Sequence, residues 1–170
     1  VRQAASLGWN RMKFYFMIGL PTETTEDLDG IVEIAARASQ IAREIQEKGK
    51  RNFSLTVSVS NFVPKPHTPF QWFTPNNEDE FRQKNFYLKE KLSKVKGANF
   101  QYHDTRTSWV EILMARGDKK TFDAIEKAVE LGAEFDSWSE HFDYELWQKA
   151  YDEVGISFTQ IPDYADLNAD

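Results

Sequence analysis

The sequence predicts an α/β protein in which parallel strands joined by crossover helices are followed by a helical appendix. Three observations carry this reading. A continuous apolar run, Phe14–Ile18, ends at a glycine and a proline just before a helix start. An amphipathic helix then leads into a second strand. Beyond residue 103, capped helical segments follow one another with short connections.

The first strand lies in KFYFMIGLPTETTED, residues 13–27. Its run is too continuous to alternate, as expected of a strand covered on both faces of a parallel sheet. Gly19 ends it, and Pro21 cannot join a central ladder. Thr24 or Thr25 caps the next helix, with Glu26 and Asp27 in the first turn where they complement the dipole. A strand, tight loop and helix N-terminus of this kind lie at the carboxyl edge of a parallel sheet, where ligands bind. A plain turn and cap explain the same residues. Upstream, Val1–Gly8 reads as the last turns of a helix closed by Gly8. There is no initiator methionine, and the natural protein is expected to be longer.

From Leu28 to Lys48, the apolar residues Leu28, Ile31, Val32, Ala35, Ala38, Ile41, Ala42 and Ile45 recur at helical steps. The helix is expected to close at Gly49, with Lys48, Lys50 and Arg51 near the negative end of its dipole. In Phe53–Val63, Leu55, Val57 and Val59 alternate with Thr56, Ser58 and Ser60, which makes a strand with one more polar face. Strand, helix and strand form one parallel βαβ unit. The loop PKPHTPFQWFTPNN, residues 64–77, is stiffened by its prolines. Phe70, Trp72 and Phe73 are expected to fold back over apolar surface; the functional alternative is a lid over the carboxyl edge.

Asn77 or its neighbours start a charged helix reaching about Lys96, with Phe81, Phe86, Leu88 and Leu92 as its inner face. Residues 98–103, ANFQYH, form a third strand. Asp104 or Thr105 caps a helix bearing Trp109, Ile112 and Leu113, which stops at Gly117. Asp118 caps another bearing Phe122, Ile125, Ala128 and Val129, which stops at Gly132. Asp143 opens the last, with Leu146, Trp147, Ala150 and Tyr151, ending at Gly155. The tail IPDYADLNAD has no periodic segment. Residues 1–103 are thus one domain and 104–170 the helical appendix.

Composition bounds the function. With 170 residues, 41% apolar and 14% aromatic, the chain can build a core. The charge of -6 is spread along it, which gives no basic face for nucleic acid or anionic membrane. No apolar run approaches the roughly 18 residues of a membrane span, and a cytoplasmic location is expected. With no cysteine, the chain holds no disulfide, thiolate-ligated cluster or cysteine nucleophile. His67, His103 and His141 lack metal-ligand spacing. His103 beside Asp104 is the best of the three, although Asp104 already serves as a helix cap. In WSEHFDYELW, residues 138–147, core packing with a solvated acidic face accounts for the aromatics and acids. No GxSxG, P-loop or GxGxxG is present.

IGLPTET, between an apolar strand and a helix, resembles the fifth-strand motif of radical S-adenosylmethionine (SAM) enzymes, whose members often read GFPGET or GLPGET there. FVPKPHTPFQW resembles the sixth strand and following loop of the branch called B12-binding radical SAM proteins or Fe–S oxidoreductases. HDTRTSWVEILMARGD and FDSWSEHFDYELW are similar to that branch's carboxyl-terminal region. The resemblance implies the back half of a partial (β/α) barrel, with two or three parallel strands and a helical appendix. The complete enzyme would cleave SAM reductively at a [4Fe–4S] cluster, and cobalamin is a possible further cofactor. Position by position, Ile18, Gly19 and Glu23 match the fifth-strand pattern that supports the adenine. Asn61, Phe62 and Val63 match the sixth-strand end that meets its polar edge. Gly19 is expected to let a ligand approach the backbone, with Phe62 or Val63 as apolar surface for a purine. Thr22 stands where the family has its second glycine. The three-cysteine cluster motif is missing, so the chain alone is expected to be catalytically inactive. The alternative is a stand-alone α/β binding or interaction module. As such a fragment, the chain is expected to self-associate through the edge FYFMI or the adjoining barrel-interior face, burying at least about 1,000 Å².

Overall fold

The computed structural model describes residues 1–45 and 52–161. The expected helix close at Lys48–Arg51 and the tail from Pro162 onward lie outside the described residues. The chain divides into two compact units: Val1–Phe62 with Asn76–His103, and Val63–Pro75 with Asp104–Asp170.

The first unit is α/β. The short helix α1 (Arg2–Ser6) leads into β1 (Arg11–Ile18), and α2 (Thr25–Ile45), β2 (Ser54–Asn61), α3 (Glu78–Leu92) and β3 (Ala98–Tyr102) follow. The strands form a three-stranded parallel sheet in the order β1-β2-β3. The register aligns Phe14 with Val57 and Phe100, so Met12, Phe14 and Phe16 share a face with Leu55, Val57 and Val59. That face is the core: Leu55, Val57 and Val59 are fully buried, and α2 and α3 pack on the sheet.

The other face departs from the expectation of a strand covered on both sides. Lys13, Tyr15 and Met17 are exposed, Tyr15 to 75%, with the Lys13 ammonium 4.9 Å from the Tyr15 ring centroid. The run looks continuous only because its outward positions are also apolar; its burial alternates strictly. Helix α3 carries a second correction, since its buried stripe is Phe81, Asn85, Leu88 and Leu92, while Phe86 is 69% exposed. At 100° per residue, position 86 lies about 140° around the helix from position 81.

Cap chemistry locates the helix starts. Asn77 and Glu80 form a reciprocal capping box at α3. At α2, the Asp27 carboxylate accepts the Thr24 N–H at 2.8 Å, which holds the Asp27 carboxyl below its ordinary range.

The second unit contains α4 (Thr105–Arg116), α5 (Lys120–Leu131) and α6 (Tyr144–Glu153), preceded in the chain by a 3₁₀ turn, Pro69–Trp72. Asp104 and Asp143 cap α4 and α6, and the Asp118 carboxylate accepts the Lys120 N–H. Loop 63–75, placed by sequence with the sheet domain, is counted with this helical unit. The buried Arg116 holds it: its Nη1 donates to the carbonyls of Gln71 at 2.7 Å and Phe73 at 3.0 Å. Phe70, Trp72 and Phe73 stay exposed instead of folding back. Of the apolar residues expected on helix α5, Ala128 is buried with Thr121 and Ala124, while Phe122 and Val129 are exposed. Small residues permit close approach of α5 to α6, and the larger ones then have no room inside. No helix among the described residues is long and apolar enough to cross a membrane.

Candidate functional site

The site begins where β1 ends. Ile18 is fully buried and pairs in register with Asn61, and its carbonyl accepts the Phe62 N–H at 2.8 Å. The two strand ends predicted to border a ligand therefore lie side by side in the first unit. Val63 belongs to the second unit, so the geometry of the site is that of Ile18, Gly19, Glu23, Asn61 and Phe62. The side chains of Ile18, Asn61 and Phe62 are buried, which leaves backbone as what these strand ends can present.

The loop between β1 and α2 is a tight turn. The Leu20 carbonyl accepts the Glu23 N–H at 3.1 Å, Pro21 holds the first central position, and Thr22 has φ +69° at the second. This is the pattern of a type II turn, whose second central residue needs positive φ and is usually glycine. A β-branched residue there is strained by roughly 1–2 kcal/mol. Thr22→Gly is therefore expected to stabilise the chain by about 1 kcal/mol, after the added freedom of glycine in the unfolded state is subtracted. Thermal unfolding of the two proteins checks this; a destabilised variant would mean that the Thr22 side chain contributes more than its strain costs.

Gly19 also has positive φ, +83°. A Cβ there would lie 2.5 Å from Phe81 Cε1 and 2.9 Å from Asn76 Oδ1. The missing side chain thus makes room for Phe81 of the protein's own helix α3 and for Asn76. Glu23 turns inward as well. Its Oε2 accepts the Gly19 N–H at 2.9 Å, and its Oε1 accepts from Lys84 Nζ at 2.6 Å, with the carboxylate side chain only 6% exposed. Both oxygens accept hydrogen bonds from the protein, so Glu23 braces the loop. Lys84 and Asn76 were missed by sequence reasoning. Lys84 lies 61 residues from its partner in a helix of many charges, and no local pattern marks it. Tyr87, on the same helix, donates to Asp29 at 2.7 Å and holds that carboxyl low.

Beside the loop is an open groove of about 300 Å³ lined by Phe16, Met17, Leu20, Pro21, Thr22, Glu23, Asp27 and Ile31. The second unit has its own cavity of about 230 Å³, with Leu113, Thr121, Tyr151 and Ile156 in its lining. Burial pushes the Tyr151 phenol up to about 12, and no described residue pairs with its hydroxyl. No group of three or more His, Cys, Asp or Glu with metal-holding geometry occurs among the described residues.

No family model matches the chain, and no solved structure matches it. Among curated proteins, the chain is similar to Uncharacterized protein MJ0966 of Methanocaldococcus jannaschii, 28% identical over 116 residues. The match covers 68% of this chain and 23% of that protein, so the chain spans less than a quarter of the relative's length.

Proposed function

We propose that the chain is the back half of a radical SAM barrel with its carboxyl-terminal helical appendix, bordering the SAM site of a longer enzyme. The observation that carries this reading is the turn at residues 20–23. Thr22 occupies a backbone conformation suited to glycine, at the very position where the resembling motif has glycine. The parallel sheet and the adjacency of the ends of β1 and β2 support it further, as the fifth and sixth strands of such a barrel would be neighbours.

In this reading the backbone after Ile18 and around Asn61 and Phe62 meets the adenosyl part of SAM, Val63 completes the sixth-strand end, and Glu23 acts by holding the loop. The cluster would supply reductive cleavage of SAM. A chain with no cysteine offers it no thiolate ligand, so the cluster belongs to another part of the enzyme. No residue of this chain is assigned to cobalamin, and the substrate is left open.

Because the cluster would also hold the amino and carboxyl groups of SAM, this chain is expected to bind SAM no tighter than about millimolar, near 4 kcal/mol. Titration followed by amide chemical shifts tests the reading. Weak, saturable shifts should centre on Gly19, Asn61, Phe62 and Val63. Shifts elsewhere, or a micromolar constant, would mean the site is misplaced. A natural reading frame without an upstream CxxxCxxC would remove the enzymatic reading and leave a non-catalytic α/β binding module.

A further inference from the structure

We propose that the cavity of about 230 Å³ in the helical unit binds a small zwitterion, an α-amino acid with a short aliphatic side chain.

The cavity lies where α4 ends, α5 begins and the chain leaves α6. Thr121, in the first turn of α5 and in the cavity wall, is only 7% exposed. Its N–H donates to the Asp118 carbonyl at 3.0 Å, but its hydroxyl has no partner among the described residues. A buried hydroxyl without a protein partner takes one from the space it borders. Gly117, also in the wall, keeps that space open. A Cβ on Gly117 would lie 1.8 Å from Thr121 Oγ1 and 3.0 Å from the Leu113 carbonyl, so any other residue would collide with the hydroxyl. Gly117 has φ -75°, which every residue can adopt, so it is clearance and not backbone conformation that calls for glycine here.

The charges select the ligand. Lys120 brings an ammonium and Asp118 a carboxylate, so the wall is neutral overall and carries one group of each sign. The first N–H groups of α5 are already taken: Asp118 Oδ1 accepts from Lys120, the Asp118 carbonyl from Thr121 and the Lys119 carbonyl from Phe122. That leaves no row of free amides for a phosphate. A single carboxylate suits Lys120 and the Thr121 hydroxyl, at the helix end whose dipole favours negative charge. The Asp118 carboxylate would repel a simple carboxylic acid but matches an amino group carried on the same molecule. Leu113 and Ile156 supply apolar wall for a short side chain. A cavity of roughly 150 Å³ holds benzene, so this one admits a molecule of valine's size.

The site lies wholly within the helical unit, and the SAM titration can fail without touching it. Valine titrated into the 170-residue chain should give saturable amide shifts at Gly117, Thr121 and Ile156, in the millimolar range expected of so small a ligand. Isovalerate and isobutylamine, which each keep one of valine's two charges, should bind about tenfold more weakly. Thr121→Val removes the hydroxyl and keeps the branched shape; it should leave thermal unfolding unchanged and weaken valine about five- to tenfold. Lys120→Gln, at an exposed position, should weaken valine and leave isobutylamine as it was. Absence of saturable shifts with valine overturns the proposal, since the hydroxyl then meets water alone. So does isovalerate or isobutylamine binding as tightly as valine, and so does an unchanged valine affinity in either variant. Destabilisation by Thr121→Val also counts against it, because the hydroxyl would then serve the fold.

Discussion

Gly19→Ala is expected to destabilise the chain by about 4 kcal/mol, the larger part from overpacking and the rest from backbone strain. The strain arises because φ is +83°, where a Cβ crowds its own backbone. The overpacking arises because that Cβ would lie 2.5 Å from the ring of Phe81, which is fully buried and has nowhere to retreat. Gly8→Ala is the internal control. Gly8 also has positive φ, +90°, but no atom lies within 4 Å of its added Cβ, so it should lose only the strain, about 1 kcal/mol. Urea unfolding of the three proteins separates the contributions. Equal losses at the two glycines would mean that α3 does not press on the end of β1 as described.

Glu23→Ala should cost about 3 kcal/mol. Two groups lose their partner at once: the Gly19 N–H, and the Lys84 ammonium, which is 23% exposed and cannot be fully hydrated where it lies. Breaking a fully buried pair costs roughly 3–5 kcal/mol, and the partial access of water to Lys84 places this case at the lower end. Glu23→Gln should cost about half as much, since an amide oxygen still accepts from Gly19 while the charge is gone. A double-mutant cycle with Lys84→Met isolates the ion pair, with an expected coupling of about 1–2 kcal/mol. Zero coupling would show that the carboxylate acts through Gly19 alone. A coupled pair would mean that a lysine on α3 sets the shape of the loop at the carboxyl edge of the sheet.

Local chemistry was legible from the residues, and contact across distance was not. Asn77, Asp104 and Asp143 announce their helices because a cap is satisfied within three residues by its own backbone. The turn at Pro21 and Thr22 was equally local, and its positive φ was there to be read from a proline followed by the family's glycine position. Side-chain burial was a different matter. Phe86 was expected on the inner face of α3, yet it lies exposed, as do the apolar Phe122 and Val129 of α5. Their neighbours Asn85, Ala124 and Ala128 lie inside, where the available space excludes larger side chains.

By itself, then, the sequence determined the parallel strands, the helix starts and the absence of any thiolate ligand, because these depend on neighbours in the chain or on composition. Only the tertiary structure decided that Gly19 makes room for Phe81, that Glu23 pairs with Lys84, and that one face of β1 is exposed. Each of these depends on groups dozens of residues apart arriving within a few ångströms of one another, and the residue types along the chain carry no record of that distance.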